Sequence, residues 1–312
     1  MVVPQPLCES SQTLADFDWN NLRSFLAIAR SGRLTVAANR LQLDHTTLSR
    51  RLAALEHALK AKLFDRSPTG YMLTEQGQRL LPLAEQMESL AIGAVDAVGG
   101  SAECVEGTVR IGSPEGFGSY FLAPRVGRLI DAYPRLNLQL VAASAVFSLA
   151  NRDAHIAIAV SRPPAGRLVA SKLTDYDLAL YAAPAYLAAH PPIETQSDLP
   201  HHRFVSYIGD LLHFPELDVL QHVAPEGTTA LESSNLVAQL RATRAAAGLC
   251  VLPAFLGEQE PDLVRVLPDR IKLSRSLWLI VHQDLSALAR VKAVVAFIKD
   301  AVRAERSIFQ LD

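Results

Sequence analysis

From Asp44 to Leu59 two kinds of residue interleave at helical spacing. Leu48, Leu52, Leu55 and Leu59 form an apolar stripe, while His45, Thr46, Thr47, Ser49, Arg50 and Arg51 occupy the remaining face. Asp44 supplies the side-chain acceptor that a helix start needs. Just upstream, Val36, Ala37, Ala38 and Arg40 predict a short helix from about Thr35 to Leu41, and the small Ala37-Ala38 pair lets another helix approach closely. Gln42-Leu43 is the corner between the two. Before them, Asp18 can cap a helix from Trp19 to about Arg30, with Leu22, Phe25, Leu26 and Ala29 on one face and Ser31-Gly32 as its stop. Helices this short cannot stand alone, so they must pack as one compact module with a helix-turn-helix over residues 34–53.

Short polar side chains at the start of a helix reach base edges when that helix lies in a major groove, and Arg50 and Arg51 can bond phosphate or guanine. Taken alone, an ordinary amphipathic helix with a solvated face explains the pattern about as well. The next segment shifts the balance. Leu63 to Thr74 has the alternation of a β-hairpin, with Pro68, Thr69 and Gly70 as turn chemistry. A hairpin placed there is a wing, and Arg66 and Thr69 are its expected backbone contacts. Thr74 then caps a long helix from Glu75 to about Val98, in which Leu80, Leu83, Met87, Leu90, Ala94 and Ala97 repeat as a heptad-like seam. Pro82 should kink it or mark irregular first turns. A seam of that kind pairs two copies; burial against the chain's own body is the alternative. Gly99-Gly100-Ser101 reads as a hinge.

Charge agrees with this division. The whole chain carries a net charge of −2, yet Trp19 to Pro82 holds ten basic and four acidic residues, a local +6 that leaves −8 for the rest. A basic module on an acidic body suits a nucleic-acid binder with a second function. With 49% hydrophobic and 20% charged residues the chain is globular, and it has no apolar run long enough for a membrane span. Residues 1–16 are expected to be a flexible leader without a secretion signal, which points to the cytoplasm. Cys8, Cys104 and Cys250 are scattered, so neither a metal site nor another cofactor is expected, and Cys250 within Leu249-Cys250-Val251-Leu252 reads as a buried small hydrophobe.

The order of helix, short helix, recognition helix, wing and long helix resembles the LysR-type transcriptional regulators. The matching residues are Phe25, Gly32, Thr35, Ala37-Ala38, Arg40-Leu41, Leu48-Ser49-Arg50, Ala54-Leu55-Glu56, Leu63-Phe64-Asp65-Arg66 and Leu73-Thr74-Glu75-Gln76-Gly77. The likeness is tight over residues 19–98 and looser beyond. It implies double-stranded promoter DNA, a small-molecule effector, further copies of the chain as dimer and tetramer, and RNA polymerase as partners. DNA contacts are expected from Thr35, His45, Thr46, Thr47, Ser49, Arg50, Arg51, Arg66 and Thr69.

From Gly107 the pattern changes to strands alternating with helices: strands at Thr108–Gly112, Leu136–Ala142, Ile156–Val160, Leu178–Ala182, Val205-Ser206, Leu249–Leu252 and Ser276–His282. The helices between them are expected from Ser119 to Tyr133, over Ala145–Asn151, near Ala185–Ala189, over Leu236–Ala247 (ended by Gly248) and over Leu288–Arg303. Such spacing predicts βαβ units and a parallel sheet, with ligands beyond the carboxyl ends of its strands. By resemblance this is a two-lobed α/β effector domain like a periplasmic binding protein, its lobes joined by two crossing strands, with the crossings near Tyr181 and Ile280. The expected organisation is a winged helix-turn-helix at 17–74, a linker helix and hinge at 75–100 and an effector domain at 107–312. Lobe one would take 107–181 and 281–312, and lobe two 182–280. Ser113, Ser144, Ser206, Tyr207, Ser233, Ser234 and Asn235 are carried over as cleft residues, and their hydroxyls, amides and helix-start N–H groups favour a polar or anionic ligand. Two positions depart from the family pattern, His155 before the Ile-Ala-Ile strand and Ser148 in the preceding helix, each where an acid is usual. His155 is expected to play a hydrogen-bonded structural role.

Other classes fit less well. No GxSxG, HExxH, Walker or GxGxxG motif is present, and His201, His202, His213 and His222 have no evident nucleophile beside them, which disfavours an enzyme. A transport-type solute-binding protein would not carry the basic module, and an architectural DNA binder would not need the α/β body.

Overall fold

The computed structural model describes residues 17–67, 70–99, 105–142, 154–163, 168–212 and 215–311. They form two compact units divided at Gly99. The leader, wing-tip Pro68 and Thr69, Gly100-Ser101, Ser144, Ser148 and the helix expected over Ala145–Asn151 lie outside the described residues.

In the first unit, α1 (Trp19–Ser31) begins at Asp18, whose carboxylate accepts the Asn20 amide at 2.8 Å. It ends where Gly32 turns left-handed (φ 64°) and donates its N–H to the Ile28 carbonyl. The helices α2 (Leu34–Leu41) and α3 (His45–Ala58) follow. Leu22, Phe25, Leu26 and Ile28 of α1 meet Leu48, Leu52 and Leu55 of α3 over the small Ala37 and Ala38, and all are buried. Each such leucine contributes about 1.5–3 kcal/mol through the hydrophobic effect. The strands β1 (Phe64–Ser67) and β2 (Gly70–Leu73) pair antiparallel, and the Phe64 ring packs 5.3 Å from that of Phe25. The hairpin lies so close to the end of α1 that a Cβ on Gly70 would sit 2.3 Å from the Gly32 carbonyl oxygen, to which Tyr71 donates its N–H at 2.8 Å. Helix α4 (Glu75–Gly99) runs on through Pro82. Arg30 of α1 grips Glu88 of α4 with two hydrogen bonds of 2.6 and 3.2 Å.

The second unit is built, among the described residues, on a nine-stranded sheet. Its strands are β3 (Gly107–Ser113), β4 (Leu136–Ala142), β5 (Ile156–Ala159), β6 (Leu168–Ala182), β7 (Arg203–Ser206), β8 (Thr228–Glu232), β9 (Leu249–Pro253), β10 (Val264–Val266) and β11 (Leu273–His282), with spatial order β4-β3-β5-β11-β6-β9-β7-β8 and β10 beside β6. The longer helices are α5 (Val126–Ala132), α6 (Leu236–Arg244) and α7 (Ala289–Ala304). Strand β3 is parallel to β4 and β5, and β7 to β8 and β9, so each lobe has a parallel core. The two cores are joined by antiparallel strands, which corrects the all-parallel expectation. β6 and β11 pair along Leu168–Leu178 and Leu273–His282, β11 continues onto β5, and β6 continues onto β9. The crossing strands expected near Tyr181 and Ile280 correspond to β6 and β11, which contain those residues.

Further differences have local causes. The first half of β6 carries Ser171, Lys172, Thr174, Asp175 and Asp177, too polar to read as a strand, yet it is held along β11 by ladder hydrogen bonds. β8 is exposed along its whole length and shows no apolar period. The helix expected to start at Ser119 begins at Glu115, where Gly118 donates to the Pro114 carbonyl, and continues as a π-helical turn over Phe117–Leu122, at whose end Ala123 donates to the Gly118 carbonyl. Helix α6 stops at Arg244, with Ala246 rather than Gly248 taking the left-handed conformation. Phe117, Phe121, Phe255 and Phe309 cluster with ring centroids 4.9–6.4 Å apart, joining the turn after β3 to the turn after β9 and the C-terminal segment.

Candidate nucleic-acid interface and interlobe cleft

The start of α3 is a polar surface organised by one carboxylate. Asp44 accepts the Thr47 amide at 2.7 Å and the Thr47 hydroxyl at 2.8 Å, and it also accepts the Thr46 hydroxyl at 2.5 Å. These bonds, led by that from the Thr46 hydroxyl, hold the Asp44 carboxyl well below the usual carboxylate range. The hydroxyl protons of both threonines are thereby committed to Asp44, which fixes the two side chains. Thr35, His45, Thr46 and Arg50 are exposed, and Thr47, Ser49 and Arg51 are half-buried at the edge of the leucine stripe. Arg66 is exposed on β1 with its guanidinium 5.5 Å from the Tyr71 ring centroid, and Thr69 lies outside the described residues. Glu56, on the inner side of α3, accepts the Leu63 amide at 2.8 Å and so ties the recognition helix to the wing. Sequence reading missed that role for Glu56, because its partner is backbone. On α4, Leu83, Met87 and Leu90 are 57%, 40% and 73% exposed at i, i+4 and i+7, whereas Ala84 is fully buried.

In the second unit, Ser113 is fully buried and its hydroxyl donates to the Pro114 carbonyl at 3.0 Å. Ser144 lies outside the described residues. Ser206 and Tyr207 line a cavity of about 20 Å³ with Gln239 and Val251, room for about one water. Burial raises the Tyr207 hydroxyl pKa above its ordinary value. The Ser206 carbonyl accepts the Ser233 amide, and Ser233 Oγ accepts the Asn235 amide. Ser234 is exposed beside them. Asn235 caps α6, accepting the Ala238 amide at 2.7 Å. The residues brought together are therefore Ser206, Tyr207, Ser233 and Asn235, all at the carboxyl ends of β7 and β8. The expectations did not include Glu115, in the turn after β3, whose carboxylate meets the Asn235 side chain and the Leu236 amide. The turn itself was legible, but the partner lies more than a hundred residues away. His155 accepts the Arg110 amide on Nδ1 at 2.8 Å, a structural role at the edge of β5. Cys250 is buried, and burial pushes its thiol up to about 12. No helix among the described residues is long and apolar enough to cross a membrane.

A winged helix-turn-helix followed in one chain by a two-lobed α/β body defines a DNA-binding regulator with a ligand-binding domain. Residues 19–78 match the bacterial regulatory helix-turn-helix protein, lysR family, and residues 103–303 match the LysR substrate binding domain. The chain belongs to the LysR family of transcriptional regulators, which is not a family of enzymes. It is 28% identical over 264 residues to the HTH-type transcriptional regulator PtxR of Pseudomonas aeruginosa, covering 82% of this chain and 84% of that protein. It is also 28% identical over 287 residues to the HTH-type transcriptional activator TtdR of Escherichia coli K12, covering 89% and 91%. The fold is similar to that of a full-length OxyR variant from Pseudomonas aeruginosa, with a TM-score of 0.65 at 18% identity over 92% of this chain and 97% of that one.

Proposed function

We propose that the chain pairs through α4 and sets two copies of α3 on one promoter, with Thr35, His45, Thr46, Thr47, Ser49 and Arg50 at base edges and Arg51, Arg66 and Thr69 at the backbone. The observation that carries this is the Asp44-organised, exposed start of α3 on a module whose wing is anchored to it. The exposed stripe of Leu83, Met87 and Leu90 supports pairing. In this reading residues 17–74 bind DNA, 75–100 pair and link, and 107–312 sense a small polar or anionic effector between the lobes. In this reading Ser206, Tyr207, Ser233, Ser234 and Asn235 face the ligand, Ser144 is proposed to join them, and Ser113, buried and bonded to the Pro114 carbonyl, shapes the turn behind them. The effector shifts the balance between two lobe arrangements, which changes the spacing of recognition helices in a dimer or tetramer and its contact with RNA polymerase.

The experiment is genome-wide mapping of binding sites, followed by footprinting of the purified chain on the recovered promoters. Discrete sites with dyad symmetry, protected by wild type and lost in Arg50→Ala, are expected. Uniform protection without sequence preference would refute operator recognition. Metabolites of the pathways neighbouring those sites then serve as effector candidates, and a footprint unmoved by all of them would place regulation elsewhere than the cleft.

A further inference from the structure

The interlobe cleft holds an acid of its own. Glu115 belongs to the turn that leaves lobe one after β3, and it is half-buried. Its Oε2 accepts the Leu236 amide at 2.9 Å and its Oε1 accepts from Asn235 Nδ2, so both oxygens lie at the N-terminal end of α6 in lobe two. An anion placed there is favoured by the free N–H groups and the helix dipole. A second observation is independent of charge. Gly116 is so close to lobe two that a Cβ on it would meet Leu236 Cδ2 at 2.7 Å and Leu256 Cδ1 at 3.4 Å. A third is that Tyr120, one turn further along lobe one, feels Glu260, Arg241 and Arg244 of lobe two, and its hydroxyl is pushed up first by burial and then by Glu260.

We infer that Glu115 is a built-in latch between the lobes: its carboxylate binds the start of α6 and holds the cleft shut when no effector is present. The inference rests on reading this cleft as the effector site. Opening must part Glu115 from Asn235 and Leu236, and an effector bearing an acid group competes with Glu115 for the same donors. The latch therefore sets the resting state of the switch and selects ligands able to displace a carboxylate. Asn235 still caps α6 without Glu115, because the Ala238 amide is held by its other side-chain atom.

The test uses the full chain and amide hydrogen exchange, comparing wild type with Glu115→Ala and Glu115→Gln. Exchange across residues 234–240 should accelerate tenfold or more in Glu115→Ala and by less in Glu115→Gln, while α7 stays as slow as in wild type. Unchanged exchange at 234–240 in Glu115→Ala overturns the latch. If Glu115→Ala accelerates everywhere, including α7, it has lost its fold and Glu115→Gln decides: selective acceleration at 234–240 supports the latch, and none overturns it. Operator footprinting of wild type runs alongside, since its failure would strike the regulator reading without touching the exchange result.

Discussion

Arg30 and Glu88 offer a test of how the helix-turn-helix is held on α4. The Arg30 side chain is 7% exposed and that of Glu88 21%, and two charge-assisted hydrogen bonds join them. Arg30→Ala takes two charge-assisted hydrogen bonds away from Glu88, which lies beside a half-buried Glu85. Breaking a fully buried pair costs about 3–5 kcal/mol, and because Glu88 keeps some access to water the lower end, about 3 kcal/mol, applies. Replacing both residues with apolar ones (Arg30→Met with Glu88→Leu) should recover most of that loss, since the desolvation cost disappears together with the attraction. The assay is urea unfolding of the full chain carrying Trp278→Phe, which leaves Trp19 of the first unit as the sole tryptophan reporter. The reasoning fails if Arg30→Ala loses less than about 1 kcal/mol, or if the Arg30→Ala and Glu88→Ala losses simply add in the double variant, because residues in contact should couple. Operator binding supplies a second readout. If the pair fixes α1 on α4, Arg30→Ala should weaken dyad sites more than isolated half-sites.

Three other outcomes are expected. Arg50→Ala should keep the circular dichroism of wild type and lose about 1–3 kcal/mol of operator binding, seen as a shift of about five- to 150-fold in gel titration; an unshifted curve would remove Arg50 from the interface. Leu83→Glu with Leu90→Glu should lower the oligomeric state in analytical ultracentrifugation without loss of fold, and persistence of the wild-type species would show that the α4 stripe does not pair copies. With its thiol pushed up to about 12, native Cys250 should resist iodoacetamide at pH 8 and react only after unfolding, as read by mass spectrometry; fast native labelling would contradict its burial.

Acid sensitivity of the recognition helix follows from Asp44. Its folded pKa is depressed, so its contribution is present above the unfolded value and is lost only as pH falls through the lower folded one. The start of α3 should stay ordered through mildly acidic pH.

Much of the first unit could be read along the chain. The leucine stripe of α3, the Asp44 cap and the hairpin alternation are local patterns, and local patterns determine local helices and turns. The same holds for the apolar strands β5 and β9, and the polar face of α3 followed from helical periodicity. Polar or exposed strands escaped. The first half of β6 and all of β8 owe their conformation to the hydrogen-bond ladder of neighbours distant in sequence, and no residue pattern records that ladder. The helix at Glu115 likewise began before the expected cap, with Gly118 bonding back to Pro114.

The sequence by itself determined the module order, the polar face of α3 and the class of partner it serves, since periodicity, capping and charge act between near neighbours. Only the tertiary structure decided that the crossing strands pair antiparallel and over what length, that Arg30 is committed to Glu88, and that Glu115 reaches Asn235. Those pairings bring together groups far apart in the chain, and their energy depends on desolvation and geometry that exist only once the chain has folded.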